Sequence, residues 1–163
     1  MKKNTIIYKP IGIIYSGFSK AGGTPIQPTG SMETKGRIEL FPEFTEGLKD
    51  LDDFSHIILL YHFHLSKELK LVANAYMDND IKHGVFAMRA PSRPNNIGMS
   101  IVKLESIKKN ILYIKDIDII NETPLLDIKP YVPEFDVREN VRIGWLEKNV
   151  QKLSKTKADE RFK

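Results

Sequence analysis

From residue 35 to residue 131 the chain is a succession of short runs rich in Ile, Leu and Val, each cut off by glycine, proline, asparagine or charge. Branched side chains crowd a helix turn but pack well on a pleated surface, so such runs read as strands. Residues 35–41, 54–64, 69–76, 84–89, 97–104, 111–119 and 125–131 qualify, with 54–64 the most apolar. The pair 97–104 and 111–119 predicts an antiparallel hairpin around Lys108-Lys109-Asn110. Upstream, residues 5–16 alternate, but Pro10 and Gly12 interrupt them, which gives one edge strand or two short ones. Residues 17–31 form a long Gly-, Pro-, Ser- and Thr-dense loop, of the kind that is either functional or disordered. Residues 42–53 hold helical character for only about a turn.

Beyond 137 the period changes. Val141, Trp145, Leu146, Val150 and Leu153 recur at helical spacing, which predicts one amphipathic helix over 137–155 with its Trp145 face on the barrel. The expected architecture is all-β: a small barrel of about seven or eight strands with one C-terminal α-helix. Neither repeat nor linker divides it, so 1–163 is read as one domain, with the barrel over about 5–136. The βαβ alternation and the G-x-G-x-x-G turn of dinucleotide folds are both missing from the sequence.

A chain of 163 residues suffices for one core, and 41% hydrophobic with 28% charged residues is ordinary for a globular protein. Without cysteine it has neither disulfides nor thiolate metal sites. The longest apolar stretch, 57–61, is too short to span a bilayer, and 1–4 do not resemble a signal core, so a cytoplasmic protein is expected. The net charge of +4 permits a polyanionic partner. Lys148, Lys152, Lys155, Lys157, Arg161 and Lys163 form one basic cluster, and Lys103, Lys108 and Lys109 a second.

The stretch 88–98, MRAPSRPNNIG, is the densest in chemistry. Pro91 and Pro94 each fix φ and remove a donor, which makes a stiff extended loop. Such a loop carrying Arg89, Arg93, Asn95 and Asn96 suits a polar, anionic ligand, though it could also be a solvated turn. A second dense stretch, NETPLLDIKPYVP, covers 121–133.

The segments GVFAMRAPSRPNNIGMSIVKL, FSHIILLYHFH and TPLLDIKPYVPEFD resemble the TrmO (TsaA-like) family over about 11–136. The chain departs from the family pattern at Ala90 (usually Ser), Ser92 (usually His), Asn96 (usually Pro) and Ile58 (usually Trp). Bacterial members often carry a further C-terminal domain, which this chain is expected to lack. The resemblance implies an S-adenosylmethionine-dependent enzyme that methylates N6 of threonylcarbamoyladenosine at tRNA position 37. It also implies a non-Rossmann β-barrel, and a homodimer with donor sites near the subunit interface.

The resemblance places Pro28-Thr29-Gly30, His64 and Leu65 beside the donor, with Gly30 allowing close backbone approach. Arg89 is expected to contact the donor's carboxylate or ribose, and Arg93 the phosphate-rich substrate. Asn95 and Asn96 suit an adenine edge, and Met99 either packs or floors the adenine pocket. Asp118, Ile119, Ile120 and Asn121 form the opposite donor wall, with Asp127, Lys129 and Tyr131 toward the substrate; Asp118 and Asn121 could equally cap a turn, and Asp127 could pair with Lys129. Asp127 and His64 are the candidate bases for the N6 proton. Phe18, Phe86 and Tyr131 could stack a flipped base. Two other classes are considered: a non-catalytic RNA-binding barrel, and a metal enzyme built on His62 and His64. His56 shares their parity but lies roughly 20 Å from His62 along a strand, too far for shared coordination, so no metal is expected.

Overall fold

The computed structural model describes residues 5–27, 33–152, 156–159 and 161. Among these residues eight strands form: β1 (Gly12–Tyr15), β2 (Lys35–Leu40), β3 (His56–His62), β4 (Val72–Ala75), β5 (Asp78–Gly84), β6 (Ile97–Lys108), β7 (Ile111–Lys115) and β8 (Thr123–Pro130). Six of them close a barrel in the order β1-β2-β7-β6-β3-β8, while β4 and β5 pair as a separate hairpin. Every pairing is antiparallel. Closure leaves the barrel with no free sheet edge.

Alternation decides what faces inward. Ile57, Leu59 and Tyr61 of β3, Val102 and Leu104 of β6, Leu112 and Ile114 of β7, and Ile14, Ile38 and Leu125 fill the interior. The long strand β6 pairs with β3 through its first half and with β7 through its second, past an irregularity between Leu104 and Ser106. Such an extra residue bends the strand, here just beyond Lys103, which pairs with both β3 and β7.

Four expectations change. The strand expected over 84–89 is instead the last residue of β5 followed by a 3-10 turn at Val85–Ala87. The strand expected within 5–16 begins only at Gly12. The strand expected over 111–119 stops at Lys115, because Asp116 takes a positive φ of 62° and turns the chain. The helix expected over 137–155 does not form among the described residues. A single turn, α1 (Pro133–Asp136), is followed by irregular chain and by 3-10 turns at Gly144–Lys148 and Val150–Lys152. Asn140 at φ 55° and Gly144 at φ 59° are left-handed, which an α-helix cannot carry.

Trp145 is half-buried, and it packs against the hairpin rather than the barrel. Its indole stacks on His83 with centroids 4.4 Å apart, and Nε1 donates to the Ala87 carbonyl at 2.9 Å. It joins Ala75, Met88 and Ala90 in a second small core. No described helix is long and apolar enough to cross a membrane.

Candidate functional site

At one end of the barrel lies a pocket of about 470 Å³. Most of its wall comes from four segments, 20–27, the turn 63–67 after β3, the stretch 89–99 leading into β6 and 118–123 leading into β8, with Tyr61, Tyr76 and Ala158 beside them.

The proline-rich loop is braced from inside. Arg93 Nη1 donates to the carbonyls of Met88 and Ala90, both at 3.2 Å. Asn96 Nδ2 donates to the Pro91 carbonyl at 3.1 Å, while the Asn96 carbonyl accepts from Phe63 N at 2.8 Å. Two polar side chains expected to meet ligand therefore hold the loop's shape, although Arg93 still lines the pocket. Ser92 is fully buried, and its hydroxyl has no partner among the described residues. Arg89 is exposed and reaches Gln27 Oε1 at 3.4 Å across the mouth.

The floor holds a directional chain of hydroxyls. Ser100 Oγ donates to Asp118 Oδ1 at 2.7 Å. A serine has one proton to give, so Tyr61 must be the donor in its 3.0 Å contact with Ser100 Oγ. Burial pushes the Asp118 carboxyl up to about 6, against the opposing pull of the Ser100 bond and the Arg89 charge. Burial, reinforced by the Asp118 charge, raises the Tyr61 hydroxyl well above its ordinary value. On the opposite wall, burial and the neighbouring His62 lower the His64 imidazole, with Glu122 working the other way.

The wall at 20–27 is fastened by residues distant in sequence. Gly23 N donates to the Ala158 carbonyl and Ala158 N to that of Thr24, at 2.8 and 2.7 Å, and Pro25 bridges to Lys157. Lys157 is therefore part of this clasp, and Lys152 Nζ is engaged by Asn149 Oδ1 at 2.7 Å. Cations instead ring the pocket: Lys20, Lys67, Arg89 and Arg93 line it, with Asp118 as the one acidic side chain among the described residues there.

Of the residues expected at the donor site, the pocket gathers His64, Leu65, Arg89, Met99, Asp118, Ile119 and Ile120. Pro28, Thr29 and Gly30 lie outside the described residues. Asn121 is not on the pocket wall; its Oδ1 accepts from Ser16 N and its own N donates to the Phe18 carbonyl, fixing the entry to the 17–27 loop. Asn95 is exposed on the loop, away from the pocket lining.

Asp127, Lys129 and Tyr131 also sit elsewhere. Between Leu60 and Tyr61 the β3–β8 register shifts, so Leu125 faces inward with Tyr61 while Asp127 faces outward with Leu60. There Asp127 pairs with Lys129 at 2.8 Å, and Tyr131 meets the edge of His56. Phe86 is 79% exposed, and neither it nor Phe18 lines the pocket. Phe63 and Tyr61, packed edge to face at 5.4 Å, do. Among the described residues no group of three or more His, Asp or Glu could hold a metal ion.

Sequence reasoning missed Tyr61 and Ser100. The available signal was parity: Ser100 shares the face of Val102 and Leu104 on β6, and Tyr61 is the inward residue of β3 nearest its end.

Residues 13–137 match the family model described as the tRNA-methyltransferase O N-terminal domain. A probable S-adenosyl-L-methionine-binding protein of Pyrococcus abyssi is 61% identical over 157 residues, covering 96% of this chain and 85% of that protein. A human tRNA (adenine(37)-N6)-methyltransferase is 35% identical over 93% of this chain, which spans 36% of the human protein's length. The crystal structure of TrmO from Pseudomonas aeruginosa superimposes with a TM-score of 0.73 at 38% identity, over 87% of this chain and 63% of that one. With this barrel and a family match that runs through six of its strands, the chain belongs to the TrmO family.

Proposed function

We propose that this chain is an S-adenosylmethionine-dependent tRNA methyltransferase, acting on N6 of threonylcarbamoyladenosine at position 37. The observation that carries the reading is the pocket itself: apolar walls, one buried carboxylate and a ring of four cations. A pocket of this size is within the range of small-molecule sites. Its residues fit the donor, with the Arg89 fork suited to a carboxylate and Leu65, Met99, Ile119 and Ile120 to its apolar parts. When bound, the donor supplies an electrophilic methyl on a sulfonium.

The protein's share is alignment and exclusion of water, which together can account for much of a transfer rate. The cationic ring suits the phosphates flanking a nucleotide turned out of an anticodon loop. Incubation with donor and with tRNA carrying threonylcarbamoyladenosine should add one methyl to that nucleoside, read by mass spectrometry. Binding of donor and tRNA with no methyl added would favour a non-catalytic RNA-binding barrel.

A homodimer is part of the proposal. The outer face of β3 and β6 pairs Ile58 with Ile101 and Leu60 with Met99, and Ile97 and Met99 are 40% and 42% exposed. Met99 also lines the pocket, so a second copy on this face would stand beside the donor site. Light scattering should give a dimer mass; a monomer that binds donor tightly would remove this part. The reading takes the chain as one functional unit working in the cytoplasm.

A further inference from the structure

We propose that Asp118 is the base that takes the proton from the nucleophilic nitrogen, with Ser100 and Tyr61 as its positioning residues. The inference rests on the methyl-transfer reading above and deepens it at the same pocket.

The hydrogen bonds around Asp118 run one way. Tyr61 donates to Ser100, and Ser100 donates to Asp118 Oδ1. The chain is thus built around a carboxylate that accepts, and among the described residues no other side chain donates to Asp118. The floor position matters equally. Asp118 is the acidic side chain on the pocket wall, whereas Asp127 is outside the barrel in an ion pair with Lys129. The other candidate, His64, has Nδ1 against Thr123, and burial opposes the charge it would acquire on taking a proton.

Desolvation makes Asp118 a stronger base than an exposed carboxylate, while Ser100 and the Arg89 charge keep it from being protonated outright near neutral pH. The charged and titratable groups that line the pocket with it are Arg89 and Arg93 from the loop, Tyr61 from β3, His64 and Lys67 from the turn, Lys20, and Tyr76 from between β4 and β5, with Arg89 coupled to it electrostatically.

The step balances. The N6–H proton passes to the Asp118 carboxylate and its electron pair stays on nitrogen. That pair forms the N–CH₃ bond as the methyl–sulfur bond breaks, with the breaking bond's electrons returning to sulfur. The carboxylic acid then gives its proton to solvent.

The test is single-turnover methylation at saturating donor as a function of pH, with a separate carbon NMR titration of the Asp118 carboxyl in the protein alone. Asp118→Asn should lower the saturated rate by about 10²–10⁴-fold while remaining folded. Ser100→Ala should move both the acid limb of the rate profile and the NMR titration to higher pH, because the lost bond favoured the charged form. Tyr61→Phe should move both the same way by less, and Ser100→Thr should restore them. An Asp118→Asn enzyme within about threefold of wild type at saturating donor would overturn the assignment and leave the carboxylate as a donor-holding group. An acid limb that stays put while the NMR titration moves would overturn it as well. Wild type that adds no methyl overturns the methyltransferase reading together with this inference, whereas active wild type beside active Asp118→Asn overturns this inference alone.

Discussion

His64 Nδ1 lies 3.3 Å from Thr123 Oγ1, and the hydroxyl's own proton is already spent on the Ile120 carbonyl at 2.7 Å. Nδ1 must therefore carry the hydrogen and Nε2 the lone pair. Burial holds the imidazole below its ordinary value, so the unfolded chain binds its proton first as pH falls. Stability from this group is complete above the unfolded value of about 6.5 and is lost as pH drops toward the lowered folded one. Nitrogen NMR should report the Nδ1–H tautomer at pH 7.5, and His64→Gln should flatten the decline in stability just below pH 6.5. An Nε2–H tautomer would contradict the assignment.

Asp118 works in the opposite sense. Its folded value, up to about 6 from 3.8, means that the native state binds the proton more tightly, so ionising it costs stability as pH rises through that window. Asparagine keeps an acceptor for Ser100 and removes the charge. Asp118→Asn should stabilise the fold by about 2–3 kcal/mol above pH 7, and by far less at pH 4, in urea titrations at the two pH values. Equal gains at both would show that the carboxylate's charge is not the cause.

Gly98 sits against Tyr61, its cross-strand partner, and a Cβ there would overlap the Tyr61 ring. Gly98→Ala should cost about 1–3 kcal/mol through overpacking. Most of that loss should be recovered when Tyr61→Leu is added, a coupling that a double-mutant cycle measures directly.

Arg89 and Arg93 should separate cleanly. Arg93→Lys cannot reproduce the shared bonds to Met88 and Ala90, and is expected to lower stability by about 1–2 kcal/mol in thermal unfolding. Arg89→Ala should leave unfolding unchanged and weaken donor binding by about 1.5–3 kcal/mol in calorimetry. Reversed behaviour of the two would refute this division of the loop.

Lys20→Ala with Lys67→Ala should weaken tRNA binding and make its salt dependence shallower, since fewer counterions are released. An unchanged salt slope would move the RNA surface away from the pocket rim.

Much of this was written in the chain. The branched apolar runs at 54–64 and 97–104 announced β3 and β6, and the proline spacing announced a stiff loop at the pocket. Asp127 and Asp118 were harder to tell apart. Two-residue parity from Leu125 would turn Asp127 inward, and only the register shift against β3 turns it out. That shift has no local code, because it depends on how a partner strand from elsewhere in the sequence aligns. The apparent helix at Val141, Trp145 and Val150 failed for a related reason. Positive φ at Asn140 and Gly144 breaks the period, and Trp145 found His83 and the Ala87 carbonyl on a hairpin that spacing alone could not foresee.

The clasp of Gly23 and Thr24 by Ala158 also sets an order of assembly. Residues 20–27 are translated ahead of every barrel strand but β1, yet the bonds that hold this wall wait for residue 158, which follows all of them. All six barrel strands are available before the pocket has its full boundary. A nascent chain halted after β8 would have its barrel strands and lack the clasp, so tight donor capture would report that translation had passed residue 158.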